Sequence, residues 1–353
     1  MTRDKTYIFI DIEAALIRGR QCIIEIGAVK WLPNGTQTTF TQLIQPYKFK
    51  KLNNHIQKLT GITTEELLGA PSFREAIQKF KRWCEGHYVL FTFGEFDRKV
   101  LEEEMERHHL SSDFLFPMVD YQQKYMIAHS LREQPSLQKL MAELNLKASI
   151  QHRALADAQS LQQIFVETNG EALMEGQQTN DMLVLFAYSR QLETAFDIMV
   201  TYVNCKVQHD RIDIVKQTTH REKLPFSIQE KEQVAEDGEV YTKQLIKMKP
   251  SSKLKNTLQD ISTQSVGKVI LTYAGLKSIS KWMRLHQCTM PKTENLKWQS
   301  LLKEEELALE KLTEVPSIKA YEETICQLLK KYEYVIIEEY RKRNLFPQEV
   351  VGI

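Results

Sequence analysis

The first half of the sequence predicts an α/β domain in which a mixed sheet carries helices on its faces. Three apolar runs separated by turns lie between Tyr7 and about Ile44, and the pair Asn34-Gly35 is typical of a hairpin turn. After them, stretches with helical spacing alternate with short apolar runs such as YVLFTF at 88–93. An antiparallel meander followed by alternating helices and strands indicates this fold class.

The length of the chain, 353 residues, exceeds that of a usual single domain, so we expect two domains. The α/β pattern ends near Gly170, which gives a first domain over residues 1–170. Residues 171–353 are predicted to form a mostly helical accessory domain of unknown role. Within that domain, residues 243–297 form a basic stretch with eleven Lys or Arg and two acids. We find no internal repeat in the sequence.

The composition excludes several classes of protein. Lys and Arg total 47 against 46 for Asp and Glu, a balance that favours neither an acidic nor a basic partner. The five cysteines stand singly, which argues against a zinc cluster and a disulfide scaffold and indicates a reducing, cytoplasmic setting. The N-terminus does not read as a signal peptide, and we expect no membrane span. An apolar stripe in residues 304–343 favours packing within the second domain over a dimer seam, and the oligomeric state stays open.

Acidic residues occur at three separate places where metal ligands could converge. Asp11 and Glu13 stand two residues apart in the first predicted strand, so their side chains share a face and repel unless a cation lies between them. Asp97 follows a predicted strand where it enters a helix, and Asp157 lies on an otherwise apolar helix that His152 precedes. Each has a simpler alternative. Asp11 and Glu13 could be a solvated edge-strand pair, and Asp97 could be a helix N-cap. Asp157 could be a solvated helical acid, and His152 a surface cap.

Five short segments follow one another between Tyr7 and about Glu167: FIDIEAA, EIGAV, LTGIT, FGEFD and HRALADA. In this order they resemble the motifs of the DEDDh exonucleases, the family that includes RNase T, oligoribonuclease and the proofreading epsilon subunit of bacterial DNA polymerase. They look most similar to the KapD and Eri-type RNA-trimming branch. The resemblance implies an RNase H-like fold with a five-stranded mixed sheet.

The same resemblance implies the roles of the site residues. Asp11, Glu13, Asp97 and Asp157 match the four metal-binding carboxylates, and His152 matches the general base. The implied cofactors are two Mg²⁺ or Mn²⁺ ions, because hard cations prefer carboxylate oxygens and a pair about 3.5–4 Å apart can hold a phosphodiester. The implied reaction is 3′–5′ exonucleolytic hydrolysis of single-stranded nucleic acid, RNA favoured, with release of nucleoside 5′-monophosphates.

The resemblance also marks positions that would contact the terminal nucleotide. These are Ala14, where many family members carry Thr, together with Leu16, Leu59, Thr60 and Ile62. Plain core packing is the alternative for these side chains.

Two other functions remain open from the sequence. One is a DNA proofreading or repair exonuclease, and the other is a non-catalytic scaffold that binds nucleic acid through an exonuclease-like fold. The basic stretch 243–297, which contains Tyr273, Trp282 and Met283, could guide a single strand or could simply be a solvated face.

Overall fold

The computed structural model describes residues 5–147, 152–234, 240–272, 276–297 and 317–347. It divides into two compact units. Unit 1 comprises Met1–Gln178 and Tyr340–Ile353, and unit 2 comprises Thr179–Glu339. The predicted boundary at residue 170 falls on the first residue of a short helix, Gly170–Glu175, that the structure assigns to unit 1. Among the described residues, no helix has the length and apolar character required to cross a membrane.

Unit 1 contains a five-stranded mixed sheet with the order β3-β2-β1-β4-β5. Strands β1, β2 and β3 pair in antiparallel fashion, and β4 and β5 continue the sheet parallel to β1. This order and these directions are those of the RNase H-like fold, so the predicted meander and fold class are confirmed. The strands are β1 (Thr6–Ile17), β2 (Arg20–Trp31), β3 (Gln37–Leu43), β4 (Tyr88–Thr92) and β5 (Met118–Asp120).

The helices of unit 1 lie between and after these strands. Two of them start with capping boxes, in which a Ser or Thr hydroxyl and a Glu carboxylate satisfy the first N–H groups. The helices are α1 (Asn54–Thr60), α2 (Thr64–Leu68), α3 (Phe73–Cys84), α4 (Glu95–Arg107), α5 (Tyr121–Ala128), α6 (Leu137–Glu143), α7 (Ala154–Glu167) and α8 (Gly170–Glu175).

Strand β1 is buried on both faces, which makes it the centre of unit 1. Ile8 and Ile10 point to the cluster that contains the apolar residues of α3 and α4. Tyr7 and Phe9 point to the opposite cluster, where Phe165 of α7 packs against both rings with centroids 5.4 Å and 5.2 Å away. The predicted acids Asp11 and Glu13 therefore lie on a strand whose first half is packed on both faces.

Unit 2 contains a six-stranded sheet with the order β11-β10-β6-β7-β8-β9, so the prediction of a mostly helical second domain is corrected. Continuous apolar runs such as MLVLFA and IMVTYV do not distinguish a buried strand from a buried helix by periodicity, and here they are strands. The elements are β6 (Asp181–Gln191), β7 (Ala195–Val207), β8 (Ile212–Val234), β9 (Val240–Met248), α9 (Ser252–Gln264), β10 (Val269–Thr272), α10 (Leu276–Leu285), β11 (Asn295–Lys297), α11 (Ile318–Lys331) and α12 (Glu333–Lys342), the last of which continues into unit 1.

Candidate active site

The first two acids come from β1. Asp11 lies opposite Gly27 of β2, and Glu13 lies opposite Glu25. The register between the two strands shifts directly after Glu13, at the step to Ala14. Such irregularities bend a strand and re-aim its side chains, and they are frequent beside functional sites. Asp11 and Glu13 thus share one face of β1 at the last regular pairs before the strand changes register.

The third acid lies in the first turn of α4, directly after β4. The chain turns there at Gly94, whose φ of 105° is a conformation that favours glycine. The Gly94 backbone N–H donates to the Asp120 carboxylate at 2.9 Å, which ties this turn to the end of β5. Asp97 follows in α4 with only 5% of its surface exposed. The N-cap of α4 is Gly94, so Asp97 does not have the capping role that was its simpler alternative.

The fourth acid is brought in by α7, which lies directly against β2. Asp157 is in the first turn of this helix. A Cβ atom at Gly27 would lie 2.0 Å from the backbone nitrogen of Leu155, so only glycine allows the helix to approach β2 this closely. The sheet position opposite Asp11 therefore sets the distance between β1 and the helix that carries Asp157.

A buried ion pair fixes the start of α7. The Glu25 carboxylate, 1% exposed, accepts from Arg153 Nη2 at 2.6 Å and from Arg153 Nε at 3.0 Å. The backbone N–H of Ala154 donates to the same carboxylate at 3.1 Å. This set of bonds satisfies an otherwise costly buried charge and attaches the first residue of the helix to the middle of β2.

Three carboxylates converge at this point. One oxygen each from Asp11, Glu13 and Asp157 lie within 4.8 Å of one another. Asp97 is outside this group of three, yet its charge is close enough to contribute to the raised pKa of Asp11. Hard oxygen donors grouped in this way fit a divalent cation such as Mg²⁺ or Mn²⁺.

The acids raise one another's pKa values. Burial, and then the charges of Asp97, Asp157 and Glu13, hold the pKa of Asp11 well above its usual value. Burial followed by the Asp157 charge raises the pKa of Glu13 to about 7. Burial followed by the Asp120 charge raises that of Asp97. Such mutual repulsion in a partly buried site is the electrostatic condition under which a bound cation is most stabilising.

His152 lies beside the carboxylates at the solvent side. Its Nδ1 is 3.6 Å from Asp157 Oδ2, and its Nε2 is 3.1 Å from the side-chain nitrogen of Gln138. The side chain is 38% exposed, so water and substrate can reach the imidazole. The structure therefore places all five predicted catalytic residues on β1, on α4 and around the start of α7.

The predicted substrate-binding residues divide into two groups. Leu16 and Leu59 are exposed, at 68% and 41%, and are available to a ligand. Thr60 and Ile62 are buried, and Ile62 belongs to a core cluster. For these two residues the structure agrees with core packing, the alternative to substrate contact. Ala14 is partly buried against the core.

Four residues that position the acids were missed by sequence reasoning: Glu25, Gly27, Asp120 and Arg153. Glu25 gives a signal in the sequence, because it is an acid within the apolar run CIIEIGAV, where burial demands a partner. Asp120 likewise ends the short apolar segment PMVD. The closeness of Gly27 to α7 has no such signal, because it depends on where the helix packs.

Comparisons with known proteins cover the same part of the chain. Residues 8–165 match the family model RNase_T, described as exonuclease. The probable 3′-5′ exonuclease KapD of Bacillus subtilis is 28% identical over 145 residues, which are 40% of this chain and 71% of KapD. The DNA polymerase III subunit epsilon of Aquifex aeolicus is 26% identical over 165 residues, 46% of this chain and 80% of the subunit.

Longer relatives and solved structures also match. The chain spans 12% of the length of the PolC-type DNA polymerase III of Bacillus cereus, with 23% identity over 181 residues, or 51% of this chain. The solved nuclease domain of 3′hExo, a DEDDh family member bound to rAMP, is 22% identical with a TM-score of 0.44, and the match covers 48% of this chain and 94% of that domain. The exonuclease family model thus matches residues 8–165, the part of the chain that carries Asp11, Glu13, Asp97, His152 and Asp157.

Proposed function

We propose that this protein removes nucleotides from the 3′ end of single-stranded nucleic acid by metal-dependent hydrolysis. The observation that carries the proposal is the convergence of three carboxylates within 4.8 Å, with Asp97 and His152 beside them. A scaffold that only binds nucleic acid would have no need for this set of mutually repelling groups.

In this proposal Asp11, Glu13, Asp97 and Asp157 hold two divalent ions, Mg²⁺ or Mn²⁺. When bound, the ions neutralise the acids and stabilise negative charge on the oxygens of the phosphodiester. The donor set supports hard cations, because all four side chains offer carboxylate oxygens. The bonds between Glu25 and Arg153 hold α7 in place, so that Asp157 stays in register with β1.

His152 accepts a proton from the attacking water. If the proton of the neutral ring is on Nδ1, the N–H points to Asp157 and Nε2 is left as the acceptor. The Gln138 amide now donates to that atom and would give way to the water. A neutral imidazole nitrogen that water can reach is able to accept this proton as a general base.

The substrate strand follows exposed groups next to the acids. Leu16 lines an open groove of about 530 Å³ between the β1–β2 turn and α4, and Arg20 and Arg107 line the same groove. Leucine side chains at Leu16 and Leu59 offer apolar contact to the last base, and Arg20 offers a contact to phosphate. Arg107 already donates to Glu104 Oε2 at 2.8 Å and to the Gln21 carbonyl, so it supports the wall of the groove. We favour RNA because the motifs resemble the RNA-trimming branch, and the singly placed cysteines support a cytoplasmic location.

DNA proofreading or repair is the second candidate. It is favoured by the relatives named as polymerase III epsilon and PolC-type polymerase. The rates on matched RNA and DNA oligonucleotides distinguish the two substrates.

The test is digestion of 5′-labelled RNA and DNA oligonucleotides with Mg²⁺, Mn²⁺ or EDTA. We expect labelled fragments that shorten from the 3′ end only with a divalent ion, and no cleavage by Asp11→Ala. Asp210→Ala is the matched control, because Asp210 is a surface acid with 76% of its side chain exposed. Cleavage by Asp11→Ala at the control's rate would refute the proposed site.

A further inference from the structure

Unit 2 repeats the strand order of unit 1. Strands β6, β7 and β8 form an antiparallel meander, and β10 and β11 continue the sheet from β6 in parallel. The order β8-β7-β6-β10-β11 is thus the same as β3-β2-β1-β4-β5. Helix α9 precedes β10 and α10 follows it, as α3 precedes β4 and α4 follows it. Apart from the additional strand β9, the two units share an RNase H-like arrangement.

The pairing registers also agree. Leu90 of β4 pairs with Ile8 and with Met118, the first residue of β5. Ile270 of β10 pairs with Leu183 and with Asn295, the first residue of β11. The local sequences VLFT (89–92) and VILT (269–272) correspond. The likeness is therefore one of strand order and pairing, in a sequence without a recognisable internal repeat.

The layers correspond as well. In unit 1, Ile8 and Ile10 belong to the cluster that contains residues of α3 and α4. In unit 2, Leu183 and Leu185 belong to the cluster that contains residues of α9 and α10. Equivalent alternate positions of the two central strands therefore face equivalent pairs of helices. An accidental likeness of strand order would not require this agreement.

This register shows what unit 2 has at the positions of the strand-borne acids. Tyr7 and Met182 are equivalent positions, because they pair with Val89 and Val269, respectively. Four residues further along each strand, Asp11 corresponds to Phe186. Glu13 corresponds to Tyr188. Phe186 is fully buried, and the ring of Tyr188 contacts that of Tyr321 with centroids 6.3 Å apart.

The acids at the ends of the parallel strands are replaced by lysines. Asp120 pairs with Thr92, and Lys297 pairs in the same way with Thr272. Asp97 and Lys277 each follow their Thr by five positions. Within the described part of unit 2, no three His, Cys, Asp or Glu side chains converge as they do in unit 1.

We propose that unit 2 binds single-stranded nucleic acid at this edge without divalent metal. The ligand is of the class proposed for unit 1, and in that respect the inference rests on the proposed function. The acidic edge of unit 1 repels phosphate until cations bind, whereas unit 2 has lysines, Lys277 and Lys297, at the matching chain positions, and β6 has the partly exposed Tyr188. Lysines attract phosphate directly, and an aromatic ring stacks on any base. Exposed Lys281 and Arg284 extend the basic character along α10.

The test measures binding of the full chain to a fluorescein-labelled oligouridylate of about 20 nucleotides by anisotropy. EDTA is present to stop hydrolysis, and the KCl concentration is varied. We expect binding in EDTA and a lower affinity for Lys277→Glu and Lys297→Glu. Each variant should reduce the slope of log K against log salt by about 0.7, the value for one phosphate contact on a single strand. Lys216→Glu is the matched control, since Lys216 is an exposed lysine near the opposite end of the sheet and should keep the wild-type slope.

A neutral variant guards against effects of folding. Tyr188→Leu should weaken binding at least about fivefold without changing the salt slope, because stacking carries no charge. Circular dichroism of each variant should match the wild type.

Hydrolysis of thymidine 5′-monophosphate p-nitrophenyl ester with Mn²⁺ serves as a separate readout of unit 1, and we expect it to be unchanged in all unit 2 variants. Its absence in the wild type would count against the proposed function and would leave the binding results valid. Wild-type affinity and slope in Lys277→Glu and Lys297→Glu would overturn the inference, as would complete loss of wild-type binding in EDTA.

Discussion

Replacing Gly27 by alanine should damage the site from a position that touches no substrate. The added Cβ would lie 2.0 Å from the backbone nitrogen of Leu155 and 2.2 Å from the carbonyl carbon of Ala154. Cβ atoms essentially never approach other heavy atoms within 3.0 Å, so α7 must move away from β2 by about 1 Å. That movement would carry Asp157 away from Asp11 and Glu13.

The expected magnitude follows from this displacement. The three carboxylate oxygens now lie within 4.8 Å of one another, and a shift of about 1 Å at a catalytic group can reduce a rate about 100-fold. Overpacking should also lower the free energy of unfolding by about 1–3 kcal/mol. We therefore expect Gly27→Ala to fold, with kcat/KM reduced about 100-fold and with weaker binding of Mn²⁺.

The assay combines initial rates on a 5′-labelled oligonucleotide, Mn²⁺ titration and urea unfolding, at a temperature where circular dichroism shows a folded protein. Gly69→Ala is the control. Gly69 has a φ of −91°, and a Cβ there would meet nothing nearer than 3.8 Å. A Gly27→Ala protein with the rate and Mn²⁺ affinity of the control would show that the close approach of α7 does not determine the site.

Three further predictions concern neighbouring groups. Arg153→Ala removes the guanidinium bonds to the buried Glu25 carboxylate and should lower the free energy of unfolding by about 2–3 kcal/mol in urea titrations. An unchanged midpoint would contradict the role of this pair. His152→Asn should lose most of the rate, because the proton acceptor is removed, while the Mn²⁺ affinity stays within about threefold; a rate like that of the wild type would remove His152 as the base. Because the pKa of Glu13 is raised from 4.5 to about 7, the folded, metal-free protein binds a proton that the unfolded chain releases. Its stability should therefore fall as pH rises from about 4.5 to 7, while Mn²⁺ affinity rises over the same range as the proton is displaced, which calorimetry at several pH values can check.

The sequence was sufficient for the parts of the fold that depend on local pattern. The two-residue spacing of Asp11 and Glu13 placed both on one face of a strand. The position of Asp97 after an apolar strand, and that of Asp157 on an apolar helix, placed each at the end of an element. These relations follow from periodicity, which a sequence shows directly.

The rest depends on which elements touch. Gly27 matters because α7 packs against it, and Glu25 because the same helix begins at its carboxylate, and neither contact follows from spacing along the chain. In unit 2, buried strands such as β7 read as uninterrupted apolar runs, which do not distinguish a strand from a helix, and the long strand β8 is largely polar and shows no clear alternation. The likeness of the two units rests on strand order and pairing, with only VLFT and VILT as a trace in sequence.

The central claim is that the carboxylates of unit 1 form the metal site of this chain. It is tested most directly by counting Mn²⁺ ions bound to the full chain by electron paramagnetic resonance, in the wild type and in Asp11→Asn. We predict two bound ions per wild-type chain, with the spectrum of a coupled pair, and loss of that pair in Asp11→Asn. A wild type that binds no Mn²⁺, or an Asp11→Asn protein that binds the same number with the same affinity, would contradict the account.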